Sequence, residues 1–525
     1  EHEFNLINRE NYLKEIHDNL YNNDQNQIKW IVLHGIGGLG KTTLTKQFLT
    51  YLIENRLCDD KTALIWIDSK NVTSIEQIFV DHIAKCLNVK RDDDKMSNKD
   101  FITNIIIKKM IEKKISCILI FDNLQSSFDD IRYLIQDLDP KKFKILITTR
   151  PKINFKPAEK KQYKLIEPKM FDNKQANEYL IKNLDRDLDE SIKQEKLNEF
   201  LQLYFQNPKN QNKILPLMLR LVVGLFNEDN LTNLNDKIKR DEISNKAYEE
   251  IATELLIEDI NPEENDLDFK FLTIISILDG SSIQLDFLVK LLEDEEEEDN
   301  VKECIRIFER KCLIDAKNEN DSIFIIIHEV IQQTILNKFK ENQKSNKIIQ
   351  NVINKIQENL SEINKKSDRE GIKKEEKSLA KHYLTICDRI ISKQHKIENF
   401  RFIIEVADFI ENAFYDFKQK LKRLESIKDK VEDKKLKSTI FNKIGLTYYK
   451  SLGEYDKALE YLQKSLEINE KIYQDNKDHP DIATSYNNIG SIYNSLGEYN
   501  KALEYYQKSL EIREKIYQDN KDHPD

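Results

Sequence analysis

Residues 35–42 read Gly-Ile-Gly-Gly-Leu-Gly-Lys-Thr, and four of the chain's 11 glycines fall among the first six of these positions. In a chain of 525 residues, 11 glycines amount to about 2%, against an ordinary share of roughly 7%. Glycine this scarce and this concentrated marks a backbone with a special conformational task. The segment fits GxxxxGK[ST], follows an apolar run over 29–34 that reads as a strand, and precedes a helical pattern over 42–56. In that order, backbone N–H groups of the loop face inward around phosphate oxygens, and the helix N-terminus adds favourable potential. Gly35, Gly37, Gly38, Leu39, Gly40 and Thr43 form the expected cradle. Lys41 is expected to reach the β- and γ-phosphates, and the Thr42 hydroxyl to ligate Mg2+.

Short apolar runs at 28–34, 63–68, 117–121 and 144–148 alternate with longer segments at 42–56, 74–87 and 100–113, where apolar residues recur every three or four positions. Fully apolar strands separated by helices predict a parallel sheet covered on both faces, so this part is α/β. A phosphate loop needs a carboxylate for the metal at the end of a neighbouring strand. Cys117-Ile-Leu-Ile-Phe-Asp122 supplies it, which makes Asp122 the second expected metal residue beside Thr42. The following residue is Asn123 instead of an acid, which predicts slow hydrolysis with binding intact. The next strand runs into Thr149-Arg150 and places an arginine where it can sense a γ-phosphate. Lys41, Asp122 and Arg150 are thus the expected catalytic set.

Pro151, Pro157 and Pro168 punctuate a change of texture, and residues 170–255 read as helices only. Two helical patterns flank Asp279-Gly280, and the acidic run at 293–299 reads as a solvated loop. A helix ending near Arg310 then leads to strand patterns at 312–316 and 322–327, which together predict a winged helix. From 345 to 435 the chain is helical, with Ile349, Val352, Ile353, Ile356, Leu360 and Ile363 on one apolar stripe. Residues 451–481 and 495–525 align over 31 positions with three differences, Asp456/Asn500, Leu462/Tyr506 and Asn469/Arg513. Each unit is a helix pair that cannot bury its apolar face alone, so such units stack. The first carries one extra residue around Tyr448-Tyr449, because Gly445 and Gly453 are eight positions apart while Gly490 and Gly497 are seven.

The expected domains are a nucleotide-binding domain at 1–160, a helical domain at 161–250, a winged helix at 251–345, a helical linker at 346–435 and the repeats at 436–525. Glu1 opens the sequence and Pro524-Asp525 closes it at the point where Pro480-Asp481 began the preceding unit. A segment of a longer protein with its array cut is the expectation.

Charged residues make up 34%, hydrophobic residues 39%, and the net charge is -10. That balance suits several small cores and argues against non-specific nucleic-acid binding. No apolar run approaches the roughly 18 residues a membrane span needs. No secretory signal opens the chain, and the six cysteines are scattered without a CxxC pair. A soluble cytoplasmic protein with buried thiols is expected, with no membrane partner.

Ile7-Asn8-Arg9-Glu10, the phosphate loop, Ile118-Leu-Ile-Phe-Asp-Asn123, Lys144 to Arg150, Ile214-Leu-Pro-Leu217 and Ile327-His-Glu329 occur in this order. Over residues 1–340 the chain resembles the NB-ARC class of STAND signalling ATPases, which includes plant disease-resistance proteins and animal apoptosome scaffolds. The resemblance implies that Ile7 and Arg9 lie by an adenine, that Pro216 packs on the base, and that His328 contacts the β-phosphate of ADP in a closed state. Asn8 and Ile214 stand where the family has glycine, and Glu329 where it has aspartate.

The C-terminal units are similar to the tetratricopeptide repeats of kinesin light chains. Tyr486, Ile489, Gly490, Tyr493, Ala502, Tyr506 and Ser509 occupy the signature spacing, and Asp478-His479-Pro480 and Asp522-His523-Pro524 match the turns. These histidines read as turn residues. Together the resemblances imply a switch controlled by ATP and ADP with Mg2+. Bound ADP holds a closed form, and a protein or peptide ligand on the repeats favours opening. ATP then replaces ADP, open protomers form a homo-oligomer, and slow hydrolysis resets the system. A competing reading is a repeat adaptor scaffold whose degenerate core keeps nucleotide as a structural filler. Asn123 favours it, and Lys41, Thr42 and Asp122 oppose it. A winged helix can bind DNA, but in so acidic a chain nucleic acid is not the expected partner.

Overall fold

The computed structural model describes residues 9–21, 28, 30–58, 62–69, 83–84, 87–89, 98–113, 115–124, 131–132, 138–150, 162–184, 190–206, 213–228, 230–239, 248–263, 266–292, 298–319, 322–392 and 399–517. Ile7, Asn8, most of the 74–87 helix, the acidic run at 293–297 and the Asp522-His523-Pro524 turn lie outside them. The chain divides into two compact units, Glu1–Ile349 and Gln350–Asp525.

The first unit is built on a five-stranded sheet of β1 (Trp30–His34), β2 (Thr62–Asp68), β3 (Ser116–Leu124), β4 (Phe143–Thr149) and β5 (Tyr163–Ile166). Their order is β2-β3-β4-β1-β5, and every pair is parallel. The first four strands fall on the four apolar runs. β5 was not expected, because its first three residues are only half-buried or exposed and its pattern lacks a continuous apolar run. Both faces of the sheet are covered, as the strand composition requires. Cys117, Leu119, Phe121, Ile145 and Ile147 pack on one face. Ile118, Ile120 and Leu146 pack on the other, against Leu44, Phe48 and Leu52 of the helix Lys41–Glu54.

Five helices follow, Asn173–Asn183, Glu190–Gln206, Pro216–Asn227, Leu231–Lys239 and Tyr248–Leu256. The first starts at a reciprocal cap, with Asp172 accepting from the Gln175 backbone and the Gln175 side chain returning to Asp172. Pro216 opens its helix at a position where the missing N–H is no loss. Nine of that helix's 12 residues are buried, which makes it the central helix of this part.

Beyond it run helix Asp266–Ile277, β6 (Ile283–Gln284), helices Leu285–Leu291 and Glu298–Arg310, the hairpin β7 (Ile314–Glu319) and β8 (Ser322–Ile327), and helix Glu329–Phe339. β6 pairs with β8 to complete an antiparallel sheet ordered β6-β8-β7. The Pro216–Asn227 helix lies hard against this module. Arg220 gives three hydrogen bonds, from Nε to Cys312 O at 2.9 Å, from Nη2 to Ile314 O at 2.8 Å and from Nη1 to Asp315 Oδ2 at 2.7 Å. One turn on, a Cβ at Gly224 would stand 2.2 Å from Lys311 O.

The second unit is helical throughout its described residues. It runs from within the helix Gln343–Glu370 through Lys374–Ser378, Ala380–Ile391, Phe400–Phe414 and Phe417–Ile427 to the repeat helices Lys434–Thr447, Tyr455–Ile472, Pro480–Ser495 and Tyr499–Tyr517. All six residues of the apolar stripe at 349–363 are buried. In the repeats a small residue admits a large one. A Cβ at Gly445 would come within 2.8 Å of Leu462, and one at Gly490 within 3.0 Å of Tyr506. The extra residue of the first unit is taken up by a π-helical turn at Tyr448–Leu452. His479 sits at the turn as the cap of Pro480–Ser495, its Nδ1 accepting from Asp481 N at 3.1 Å. Among the described residues no helix is long and apolar enough to cross a membrane.

Candidate functional site

The carboxyl ends of β1, β3 and β4 lie side by side, because β4 is inserted between the other two. Open parallel sheets bind ligands along this edge. After β1 the chain turns through the glycine loop. Gly38 and Gly40 have φ of +76° and +77°, values that an L side chain rarely tolerates. Gly40 is also the cap of the Lys41–Glu54 helix and offers no side chain to its first N–H groups. Such a helix start carries unsatisfied donors and positive potential.

Lys41 is buried, and its Nζ donates to Gly35 O at 2.6 Å and Ile36 O at 2.8 Å. Burial, and then the Arg150 guanidinium, pull its pKa down to about 8, while Asp122 acts in the opposite sense. Two cations therefore share this site. A bound anion would relieve both the desolvation and the repulsion. Thr42 Oγ1 donates to Asp122 Oδ1 at 3.0 Å, which joins the loop helix to the end of β3. Arg150, at the end of β4, lies with its guanidinium carbon 3.5 Å from where a Gly37 Cβ would be. Its Nη1 pairs with Glu329 Oε2 at 2.8 Å.

The other wall comes from outside the sheet. Leu217 packs on Gly38, and Pro216 Cγ and Thr43 Cβ each lie 3.9 Å from where a Gly40 Cβ would be. Arg9 is buried, stands 4.6 Å over the Phe171 ring and donates from Nη1 to Leu39 O at 3.2 Å. Among the described residues its Nη2 is buried without a hydrogen-bond partner. Leu39 is itself buried and anchors the loop. His328 caps the Glu329–Phe339 helix, with Nδ1 accepting from Val330 N at 3.2 Å. Burial, followed by Arg150 and Arg220, lowers its pKa to about 4, and Lys41 contributes in the same sense.

Every expected site residue except Ile7, which is not among those described, therefore borders one region. Thr148, Phe171, Leu217 and Arg220 join it without having been anticipated. Thr148 Oγ1 donates to Asp122 Oδ1 at 2.5 Å, and only the doubled threonine of Lys144–Arg150 hints at it in the sequence. Leu217 closes the Ile214–Leu217 motif, whereas for Phe171 and Arg220 the sequence carries no local signal.

The depressed His328 value has a measurable consequence. The ordinary histidine pKa is about 6.5, so the folded chain holds the imidazole neutral where the unfolded chain would take a proton. Stability from this group is complete above about pH 6.5 and is lost as pH falls toward about 4. Protonation also removes the Nδ1 lone pair that caps the helix. Unfolding midpoints of wild type are expected to fall across this window, and His328→Gln should flatten the fall. Equal acid slopes in the two proteins would refute the assignment.

Residues 9–187 match the NB-ARC domain and residues 436–515 the tetratricopeptide repeat. The chain thus carries an NB-ARC domain and C-terminal tetratricopeptide repeats, on a P-loop NTPase-like parallel α/β core followed by a largely helical region. Pro216 and His328 lie beyond the first match. Among solved structures, a signal transduction ATPase with numerous domains and a tetratricopeptide repeat sensor, from Pyrococcus horikoshii, is similar over 98% of this chain and 78% of its own, with 17% identity and a TM-score of 0.44. The ORC2 protein of Aeropyrum pernix is similar over 64% of this chain and 95% of its own, with 13% identity and a TM-score of 0.32. No curated protein matches the chain.

Proposed function

We propose that the chain is a signalling switch controlled by an adenine nucleotide. The observation that carries this reading is the convergence on the glycine loop of three separate segments. These are the start of the Pro216–Asn227 helix through Leu217, the Glu329–Phe339 helix through Arg150 and Glu329, and Arg9 from the N-terminus. A ligand between them reports on the arrangement of all three.

The residues suit ADP or ATP with Mg2+. The loop and helix start offer backbone donors, Lys41 offers a buried ammonium and Arg9 a buried unpaired N–H. Thr42 and Asp122 offer two oxygens for a hard cation. Bound there, the metal would neutralise charge on phosphate oxygens. On this reading Pro216 faces the base, and His328 and Arg150 read the distal phosphates. The order of helix, short strand, two helices and hairpin over 266–327 supports a winged helix at 251–345. Arg150 held by Glu329 belongs to the closed form, and a γ-phosphate competes with Glu329 for it.

The repeats supply the sensing surface for a protein or peptide, and opening frees protomers to assemble with one another. Clean switching needs the two states to be biased by about 10⁴-fold, or about 5.5 kcal/mol. Phosphate, metal and interdomain contacts share that difference. With Asn123 in place of an acid, hydrolysis serves as a slow reset in the cytoplasm.

The test is the nucleotide retained by the purified chain, released by heat and identified by chromatography. About one ADP per chain is expected. A chain that carries none and also refuses ATP with Mg2+ is a repeat scaffold on an inherited fold.

A further inference from the structure

β3 and β4 do not run in unbroken register. Phe121 pairs with Ile147 and Leu124 with Thr149, so Asp122 and Asn123 together oppose Thr148. This is a β-bulge with one extra residue, a feature that re-aims side chains beside active sites. Its effect can be followed along β3. Cys117, Leu119 and Phe121 face one core, and Ile118 and Ile120 face the core that holds the Lys41–Glu54 helix. Asp122 continues the second series and meets Thr42. Asn123 then takes φ of +57°, and Leu124 falls back into the first core, three positions after Phe121 instead of two. Asp122 thus keeps the regular alternation, and the extra residue Asn123 is what returns Leu124 to the first core immediately after the carboxylate.

Thr148 sits opposite this break and is 1% exposed. Its Oγ1 accepts from Asn123 N at 2.8 Å and donates to Asp122 Oδ1 at 2.5 Å. One hydroxyl therefore holds the extra residue by its backbone and the carboxylate by its side chain. The hydroxyl has a single proton, and it is committed to Asp122. Thr42 donates to that same Oδ1 from the other side.

We propose that Thr148 is a positioning residue that fixes the Asp122 carboxylate for a divalent cation through the bulge it closes. The proposal rests on the nucleotide reading given above. Thr148 touches neither phosphate nor metal in this scheme and acts only through Asp122.

The test compares the affinity of the full chain for ADP with and without Mg2+, so that each protein supplies its own reference. Wild type is expected to bind ADP more tightly with Mg2+. Thr148→Val keeps the shape and removes the hydroxyl, and it should shrink that tightening by about tenfold, the size of one hydrogen bond to a charged group. Thr148→Ser should retain it. In an Asp122→Asn background, Thr148→Val should change nothing further, because the residue it acts through is already altered. If Thr148→Val does not fold, Thr148→Cys takes its place, and its weaker donor should give a tightening between those of wild type and Asp122→Asn. A valine or cysteine variant with the full wild-type tightening overturns the proposal and leaves the nucleotide reading standing. A wild type that binds no ADP, or binds it identically with and without Mg2+, overturns the metal site itself.

Discussion

Lys41→Ala is expected to leave the purified chain without nucleotide and to weaken ADP binding by roughly 100-fold or more, the effect of losing two charge-assisted hydrogen bonds. The same change should not destabilise the nucleotide-free chain. The Lys41 ammonium is desolvated, lies near Arg150, and spends its donors on two carbonyls of its own loop. Removing it takes a poorly placed charge out of the interior. A structural lysine would behave in the opposite way, with stability falling and affinity following it. Equilibrium binding and unfolding midpoints on the same preparation separate the two. Unchanged affinity would mean that phosphates do not sit at this loop.

Gly224→Ala should have the largest effect of any single methyl group in the first unit. Its Cβ would stand 2.2 Å from Lys311 O and 2.8 Å from the carbonyl carbon, both rigid backbone atoms. Arg220, four residues earlier and thus on the same face of the helix, is fastened to Cys312, Ile314 and Asp315, so the helix cannot slide away to make room. A destabilisation of about 3 kcal/mol is expected, the upper range for overpacking a core. Denaturant unfolding should detect it, and limited proteolysis should show faster cleavage between residues 213 and 349. A variant as resistant as wild type would show that this helix does not lie against the hairpin as described.

Much of this architecture could be read before any coordinates. The four apolar strands, the glycine loop and the repeat pairs each carry their own local pattern, a continuous apolar run, a glycine spacing or an offset of 44 residues. β5 could not be read so, because a half-exposed edge strand of four residues owes its existence to pairing with β1. β6 is two residues long and is a strand only by virtue of β8. The site divides along the same line. Lys41, Thr42 and Asp122 sit where motif spacing puts them. Phe171 under Arg9, Arg220 on Asp315 of the hairpin and Glu329 on Arg150 are contacts between residues 95 or more positions apart. Pairings over such distances leave no periodic trace in a single chain.

The π-helical turn at Tyr448–Leu452 bears on how such arrays vary in length. Gly453 N–H reaches back to Tyr448 O, and the surplus residue is absorbed before the next helix begins. Tyr448 still stacks on Tyr461, and Tyr449 still reaches Ser491 O at 3.2 Å. Gly445 meets Leu462 just as Gly490 meets Tyr506. The turn works as an expansion joint: a one-codon insertion changes local pitch while the interlocking contacts on either side stay in phase. Repeats of unequal length can therefore share one stack, and a seven-residue glycine spacing is a habit of the sequence that the packing does not demand.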